Sequence, residues 1–260
     1  GSPVAEIPSL VYVKSGVVRK SERRPALKEL DELPLPAWEL LPGVGHYHPA
    51  GDNLHRLPWY GMVTSRGCPA ACVFCNPRGL GSTFRRHSAE YIVRMMRDLR
   101  DKFGVRDIFI ADDMFTFDRE NVLELCRLLG ESRLDMTWSA FARVDFVDLE
   151  MLLAMRAAGC WQVGFGLESG SERVLRAINK HQTVRQMEEA IGWASQAGLV
   201  VRGMFMVGNF GETAETLEET ISFVGRNDIR DFHISFFTPM PGTASFYRWK
   251  DYGAWSAAGP

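Results

Sequence analysis

From Trp59 onward the chain alternates short apolar, β-branched or aromatic runs with longer stretches of helical period, and this alternation most narrows the folds open to it. Strands are predicted near 60–65, 106–111, 136–140, 161–167, 199–206 and 231–237, with helices between them. Ile92, Met95, Met96, Leu99 and Phe103 recur at i, i+3, i+4, i+7 and i+11, an apolar stripe along a helix over 89–102. Ser88 and Asp118 stand where a side-chain oxygen would cap helices over 89–102 and 119–130. A helix over 147–158 follows the third strand. Thr183 with Gln186 reads as a capping box for 184–197, and Thr213 and Glu215 open a helix over 214–225. Such repeats put successive strands parallel, joined by right-handed crossovers. A closed barrel takes eight repeats and about 250 residues. Six repeats in about 200 residues predict an α/β fold, a partial (β/α)6 TIM-like barrel with parallel strands.

Residues 1–58 do not join this pattern and read as an N-terminal arm or linker; 59–245 form the core, and 246–260 read as a truncated tail. The chain opens Gly1, Ser2, Pro3, which looks like the scar of a cleaved tag. A short strand is predicted over 7–13, while Pro34 and Pro36 stop any helix begun at Leu30. Arg19, Lys20, Arg23 and Arg24 form a basic run broken by Glu22, read as a solvated surface segment. The formal net charge of -2 gives no global field for nucleic acid, and no apolar run reaches membrane-spanning length. Five cysteines, three of them within eight residues, make a poor disulfide framework. In a reducing cytoplasm, the expected location, such a cluster points to metal binding.

The three are Cys68, Cys72 and Cys75, spaced Cys-x3-Cys-x2-Cys just after the first barrel strand. Parallel barrels place their chemistry on the loops at the C-terminal ends of the strands. Three thiolates can hold three irons of a cubane and leave the fourth open to a small molecule. The bland alternative is structural zinc, which needs a fourth ligand. His87, His55, Cys126 and Cys160 are the spare candidates, none at a typical zinc-motif spacing. Polar groups recur at the other strand ends: Asp112 and Asp113, Arg143, Glu168 and Ser169, then Gly208, Gly211 and Glu212. Each has a structural alternative: Asp113 capping a turn, Glu168 pairing with Arg143, Glu212 serving the next helix dipole. Gly164, Gly166 and Gly170 miss the dinucleotide-binding spacing by one position. Cys126 and Cys160 read as core residues. His46, His48 and His55 are either loop histidines or part of a substrate cavity.

The cysteine spacing, with Phe74 immediately before Cys75 and Thr64, Ser65, Arg66, Gly67 and Pro69 around Cys68, resembles the signature of radical S-adenosylmethionine (SAM) enzymes. The resemblance covers residues 28–250 and implies a [4Fe-4S] cluster on Cys68, Cys72 and Cys75, with SAM on its open iron. It implies that Phe74 packs near the adenine, Asp112 and Asp113 lie by the amino group, and Glu168 and Ser169 meet the ribose. Arg143 joins the same rim as a SAM-site residue. Gly208, Asn209, Phe210, Gly211 and Glu212 resemble a Gly-x-Pro-Gly-Glu turn in which Phe210 replaces the proline. Asp112-Asp113-x-Phe115, the segment Leu30 to Pro36 and the segment Phe237 to Thr243 look like the cobalamin-associated branch. That branch implies a methyltransferase whose cobalamin domain would lie before residue 1. Asp231 and His233 begin like a cobalamin-ligand motif but lack its closing glycine and are read as structural. The other readings are a cobalamin-independent radical SAM enzyme for hydrogen abstraction, rearrangement or cyclisation, and a zinc- or cluster-stabilised binding or electron-transfer module. A methylthiotransferase would need a second cysteine trio. The implied partners are a small-molecule or peptide substrate and a reductant such as flavodoxin or ferredoxin.

Overall fold

In the computed structural model, the described residues are 4–22, 24–43, 46, 54–76 and 83–248. Arg23, His48 and the tail beyond 248 lie outside them. Six strands form one sheet in the order β10-β9-β8-β7-β6-β3. They are β3 (Trp59–Met62), β6 (Asp107–Ile110), β7 (Thr137–Ala142), β8 (Cys160–Glu168), β9 (Val200–Val207) and β10 (Asp231–Phe236). Every neighbouring pair is parallel and follows in chain order, so the sheet winds in one direction and curls into a half-barrel. This is the partial barrel expected from the sequence.

The crossover helices cover the convex face: α1 (Ala89–Phe103), α2 (Arg119–Ser132), α3 (Leu149–Ala157), α5 (Val184–Gln196) and α6 (Ala214–Arg226). The α1 stripe is buried, with Ile92, Met95, Met96 and Leu99 packed in the main core beside Ile108, Leu125 and Trp138. Ser88 accepts from the Tyr91 amide, Asp118 from Asn121, and Thr183 and Gln186 form the reciprocal box, so the caps fall where the sequence put them. Cys126 and Cys160 are core residues, and burial pushes both thiols up, Cys126 to about 12.

Three local features depart from the sequence reading. The single strand predicted over 7–13 is a hairpin, β1 (Val11–Lys14) and β2 (Val17–Lys20), turned at Ser15 and Gly16. Both turn residues have positive φ, 52° and 75°, matching the twist a two-residue hairpin needs. The first barrel strand stops at Met62; Ser65–Arg66 (β4) pairs instead with Arg85–Arg86 (β5) beside the cysteine loop. A further short helix, α4 (Glu172–Ala177), follows β8, too brief to show a period in sequence.

Part of the arm packs on the core. Leu30 is 1% and Trp38 7% exposed. Tyr91 donates its hydroxyl to the Leu33 carbonyl, and His87 pairs with Asp31 at 2.9 Å while stacking on Tyr91. Burial works against the Asp31 charge, but hydrogen bonds from Ser88 and His87 outweigh it and hold the carboxyl below its usual range.

Candidate active site at the C-terminal rim

The cysteine loop leaves β3 at the rim, and the backbone of Val73 fixes it from both sides. The Val73 amide donates to the Ile178 carbonyl just after α4, at 3.0 Å. The Val73 carbonyl accepts from Ser245 at 2.9 Å, at the start of α7 (Ala244–Tyr247). Asn179 adds a side-chain donor to the Ala71 carbonyl at 2.8 Å. Val73, Val174, Ile178 and Phe210 form a small apolar cluster beneath the loop, with Phe74 and Phe237 against it. Phe210, standing where the resemblance expects proline, therefore works as a packing residue.

Cys68, Cys72 and Cys75 line one cavity of about 420 Å3 together with Phe74, Asp112, Asp113, Arg143 and Glu168. Phe74 holds an edge of it, with the Lys180 ammonium 5.8 Å from its ring centre. Arg143, 9% exposed, points Nη1 at the Cys72 sulfur, 3.6 Å away. Its other nitrogens donate to Asp145 and, at 2.9 Å, to the Lys180 carbonyl.

Glu168 owes its position to backbone irregularity. The β8–β9 register shifts between Gly166 and Glu168, and Glu168 sits at φ 62°, a region costly for a residue with a Cβ. The bulge turns its carboxylate onto Lys180 at 2.8 Å. The sequence alternative of a Glu168–Arg143 pair is not what forms, because Asp145, two residues along the chain, engages Arg143. Strained backbone held by a buried ion pair is common where a side chain must be aimed at a ligand.

The two aspartates divide. Asp112 is 3% exposed and accepts from the Thr64 amide at 2.6 Å and from the Thr64 hydroxyl. Burial pushes its carboxyl up, against the hydrogen bonds from Thr64 and Ser65. Asp112 thus ties the cysteine loop to the end of β6. Asp113 caps no turn; its carboxylate makes no hydrogen bond among the described residues and faces the cavity.

Ser169, Gly208 and Glu212 are not in the cavity lining. Ser169 is hydrogen-bonded to Thr220 at 3.0 Å and accepts from the Ser171 amide. Glu212 closes the turn after β9, accepting from the Gly208 amide at 3.0 Å and from Asn209, with Gly208 at φ 84°. His46 is exposed, and His55 stacks on Trp161 outside this cavity. Lys180, Asn76 and Met204 line the cavity without having been singled out from sequence. Lys180 follows a six-residue helix and belongs to no spacing pattern, so only tertiary contact reveals it.

The donor set fits an iron–sulfur cluster better than a single ion. Among the described residues, no group of three or more His, Cys, Asp or Glu has single-ion geometry. His87, a zinc candidate from sequence, does not line the cavity that the three cysteines share. A cluster takes one thiolate per iron and so spreads its sulfurs around one face. Cys75 keeps solvent exposure, yet desolvation and the neighbouring Cys72 sulfur push its thiol up to about 12; burial also raises Cys68. Such thiols need a metal to lose their protons at neutral pH.

A parallel half-barrel with three thiols on the loop after its first strand, facing polar groups from later strand ends, defines a cluster-binding enzyme class built on a partial TIM-type barrel. Residues 62–224 match the Radical SAM superfamily, and the chain belongs to it. It is 34% identical over 244 residues to an uncharacterized methyltransferase of Pyrococcus horikoshii, covering 94% of this chain and 52% of that protein. It is 30% identical over 229 residues to cytidylyl-2-hydroxyethylphosphonate methyltransferase of Streptomyces wedmorensis, covering 82% of this chain and 42% of that one. The chain therefore spans about half or less of these relatives. In fold it is similar to the cobalamin-dependent SAM radical enzyme OxsB, with TM-score 0.75 at 20% identity, over 97% of this chain and 36% of that one. Membership implies a [4Fe-4S] cluster and SAM as the cofactors. No helix among the described residues is long and apolar enough to cross a membrane.

Proposed function

We propose that this chain is the catalytic core of a radical SAM enzyme of the cobalamin-dependent methyltransferase type. The observation that carries it is the convergence of Cys68, Cys72 and Cys75 with Asp113, Arg143 and Glu168 on one rim cavity. The chemistry supplied there by bound cluster and SAM is one-electron cleavage of the sulfonium to methionine and a 5′-deoxyadenosyl radical. The residues of the chain bind and orient. Cys68, Cys72 and Cys75 hold three irons, and Arg143 donates toward the Cys72 sulfur, offsetting thiolate charge. Asp113, its carboxylate without a hydrogen bond among the described residues, would accept from the ammonium group of SAM. Glu168, aimed by its bulge and braced by Lys180, accepts from the ribose hydroxyls, and Phe74 packs against the adenine. Ser169, Gly208 and Glu212 support this set by holding the neighbouring turns.

The methyl-transfer branch is supported by the names of the two relatives above, both methyltransferases. The cobalamin would be held by a part of the protein outside these 260 residues. Substrate would be a small molecule or peptide and the electron donor a flavodoxin or ferredoxin. The test is anaerobic reconstitution with iron and sulfide, followed by SAM and a strong reductant and analysis of the nucleosides. 5′-Deoxyadenosine from the wild type and none from Cys72→Ala is the expected result. S-adenosylhomocysteine formed only with added cobalamin supports methyl transfer. A fully loaded cluster that yields neither product refutes the proposal, as does a chain that binds zinc alone.

A further inference from the structure

Below the rim cavity the concave face of the half-barrel encloses a second chamber of about 350 Å3. Phe141 and Met204 line both and form the partition between them. Phe141 lies flat against β8 because Gly164 has no side chain; a Cβ there would sit 2.5 Å from Phe141 Cδ1. Trp59, Phe109 and Phe141 make one apolar wall, with Phe109 and Phe141 in edge contact at 4.9 Å. Gln162, Arg202 and His233 supply polar lining on the opposite side.

Among the described residues, Arg202 is the one Asp, Glu, Lys or Arg lining this chamber. Its side chain is 16% exposed, and its sole ion-pair partner among the described residues is Asp231, a single Nε–Oδ2 approach of 3.4 Å. It makes no hydrogen bond there, and its buried Nε has no partner. Arginine–carboxylate pairs are frequently bidentate at about 2.7–2.9 Å, and an unsatisfied buried donor costs about 1–3 kcal/mol. Here the five N–H donors of the fork are almost unused. Asp231, directly opposite Arg202 in the β9–β10 register, also takes the Gln162 amide at 3.4 Å, so its negative charge is shared.

We propose that the lower chamber binds the anionic end of the substrate, a carboxylate or phosphate-type oxyanion, through the Nη donors of Arg202. This rests on the radical SAM reading above and names the substrate class that the same barrel selects. Arg202 and Met204 are two residues apart on one face of β9, about 7 Å along the strand. An anion on Arg202 would leave the rest of the substrate passing Phe141 and Met204 into the rim cavity, where the radical chemistry belongs. A cation would meet the Arg202 charge, which among the described residues is offset only in part, by the Asp231 carboxylate that Gln162 shares.

The test is calorimetric titration of the full chain with benzoate, phenylphosphonate and their neutral analogue benzyl alcohol. Binding needs no cluster and no turnover, so a chain that fails to cleave SAM still reports on the chamber, and the two readings fail separately. The expected result is that at least one anion binds the wild type tenfold or more tighter than benzyl alcohol, with their ratio telling which oxyanion fits better. Arg202→Gln is expected to abolish that preference, whereas Asp231→Asn, which frees the guanidinium, tightens anion binding several-fold. General loss of structure cannot produce that opposite sign. Should Arg202→Gln fail to fold, Asp231→Asn alone decides. No anion preference in the wild type, a preference that survives Arg202→Gln, or weaker anion binding in Asp231→Asn overturns the proposal.

Discussion

Lys180→Met removes the ammonium that braces Glu168 and leaves a carboxylate 14% exposed, held at φ 62° by the β8 bulge. The Lys180 side chain is 6% exposed, so the pair is largely shielded from solvent. Stranding one member of a buried pair costs about 3–5 kcal/mol. Opening of the site onto the rim cavity lets water reach Glu168, which brings the expectation to about 2–3 kcal/mol. With a urea slope of about 2–3 kcal/mol per M, the midpoint should fall by about 1 M without a change in slope. Urea unfolding of the metal-free chain, followed by circular dichroism, measures this. The double variant Lys180→Met with Glu168→Gln should recover at least half of the loss, because no unpaired charge is then buried. A loss under about 0.5 kcal/mol, or a double variant less stable than Lys180→Met alone, would refute the claim that this ion pair holds the bulge.

Arg143→Leu leaves Cys72 without the guanidinium 3.6 Å from its sulfur; the cluster potential should drop by on the order of 60 mV, read by potentiometric EPR, and an unchanged potential would remove Arg143 from that role. Gly164→Ala puts a methyl 2.5 Å from Phe141 Cδ1 and should cost about 1–3 kcal/mol in urea unfolding; a neutral effect would mean the partition is soft. Asp112 has its carboxyl raised above the usual 3.8 by burial, so the unfolded chain sheds that proton first and the folded state loses stability as pH climbs from about 3.8 through the raised value. Relative to Asp112→Asn, the wild type should therefore lose ground across that window; a wild type that gains on Asp112→Asn as pH rises would contradict the assignment.

The half-barrel was legible because its signals are local. The α1 stripe from Ile92 to Phe103, the Ser88, Asp118 and Thr183 caps and the alternation of strands with helices each report on a few neighbouring residues, and parallel topology follows from them. Cys68, Cys72, Cys75 and Phe74 were legible as well, since one loop carries them in a fixed spacing. The rim polar groups were only half legible. Strand ends could be counted, but whether a side chain at a strand end enters the cavity depends on backbone details. Asp112 and Asp113 both line the cavity, but Asp112 is tied to Thr64, and Ser169 turns to Thr220 while Glu168 faces inward across a bulge.

What the sequence determined by itself, then, is the order of strands and helices and the three-cysteine loop, because periodicity, caps and cysteine spacing are properties of adjacent residues. What only the tertiary structure decided is which groups share a cavity. Lys180 meets Glu168 across a turn and a helix, Arg143 reaches Cys72 over 71 residues, and Arg202 faces a chamber walled by Trp59 and Phe109. Those pairings arise from curling the sheet, which brings distant strand positions face to face, and one-dimensional spacing holds no record of that curvature.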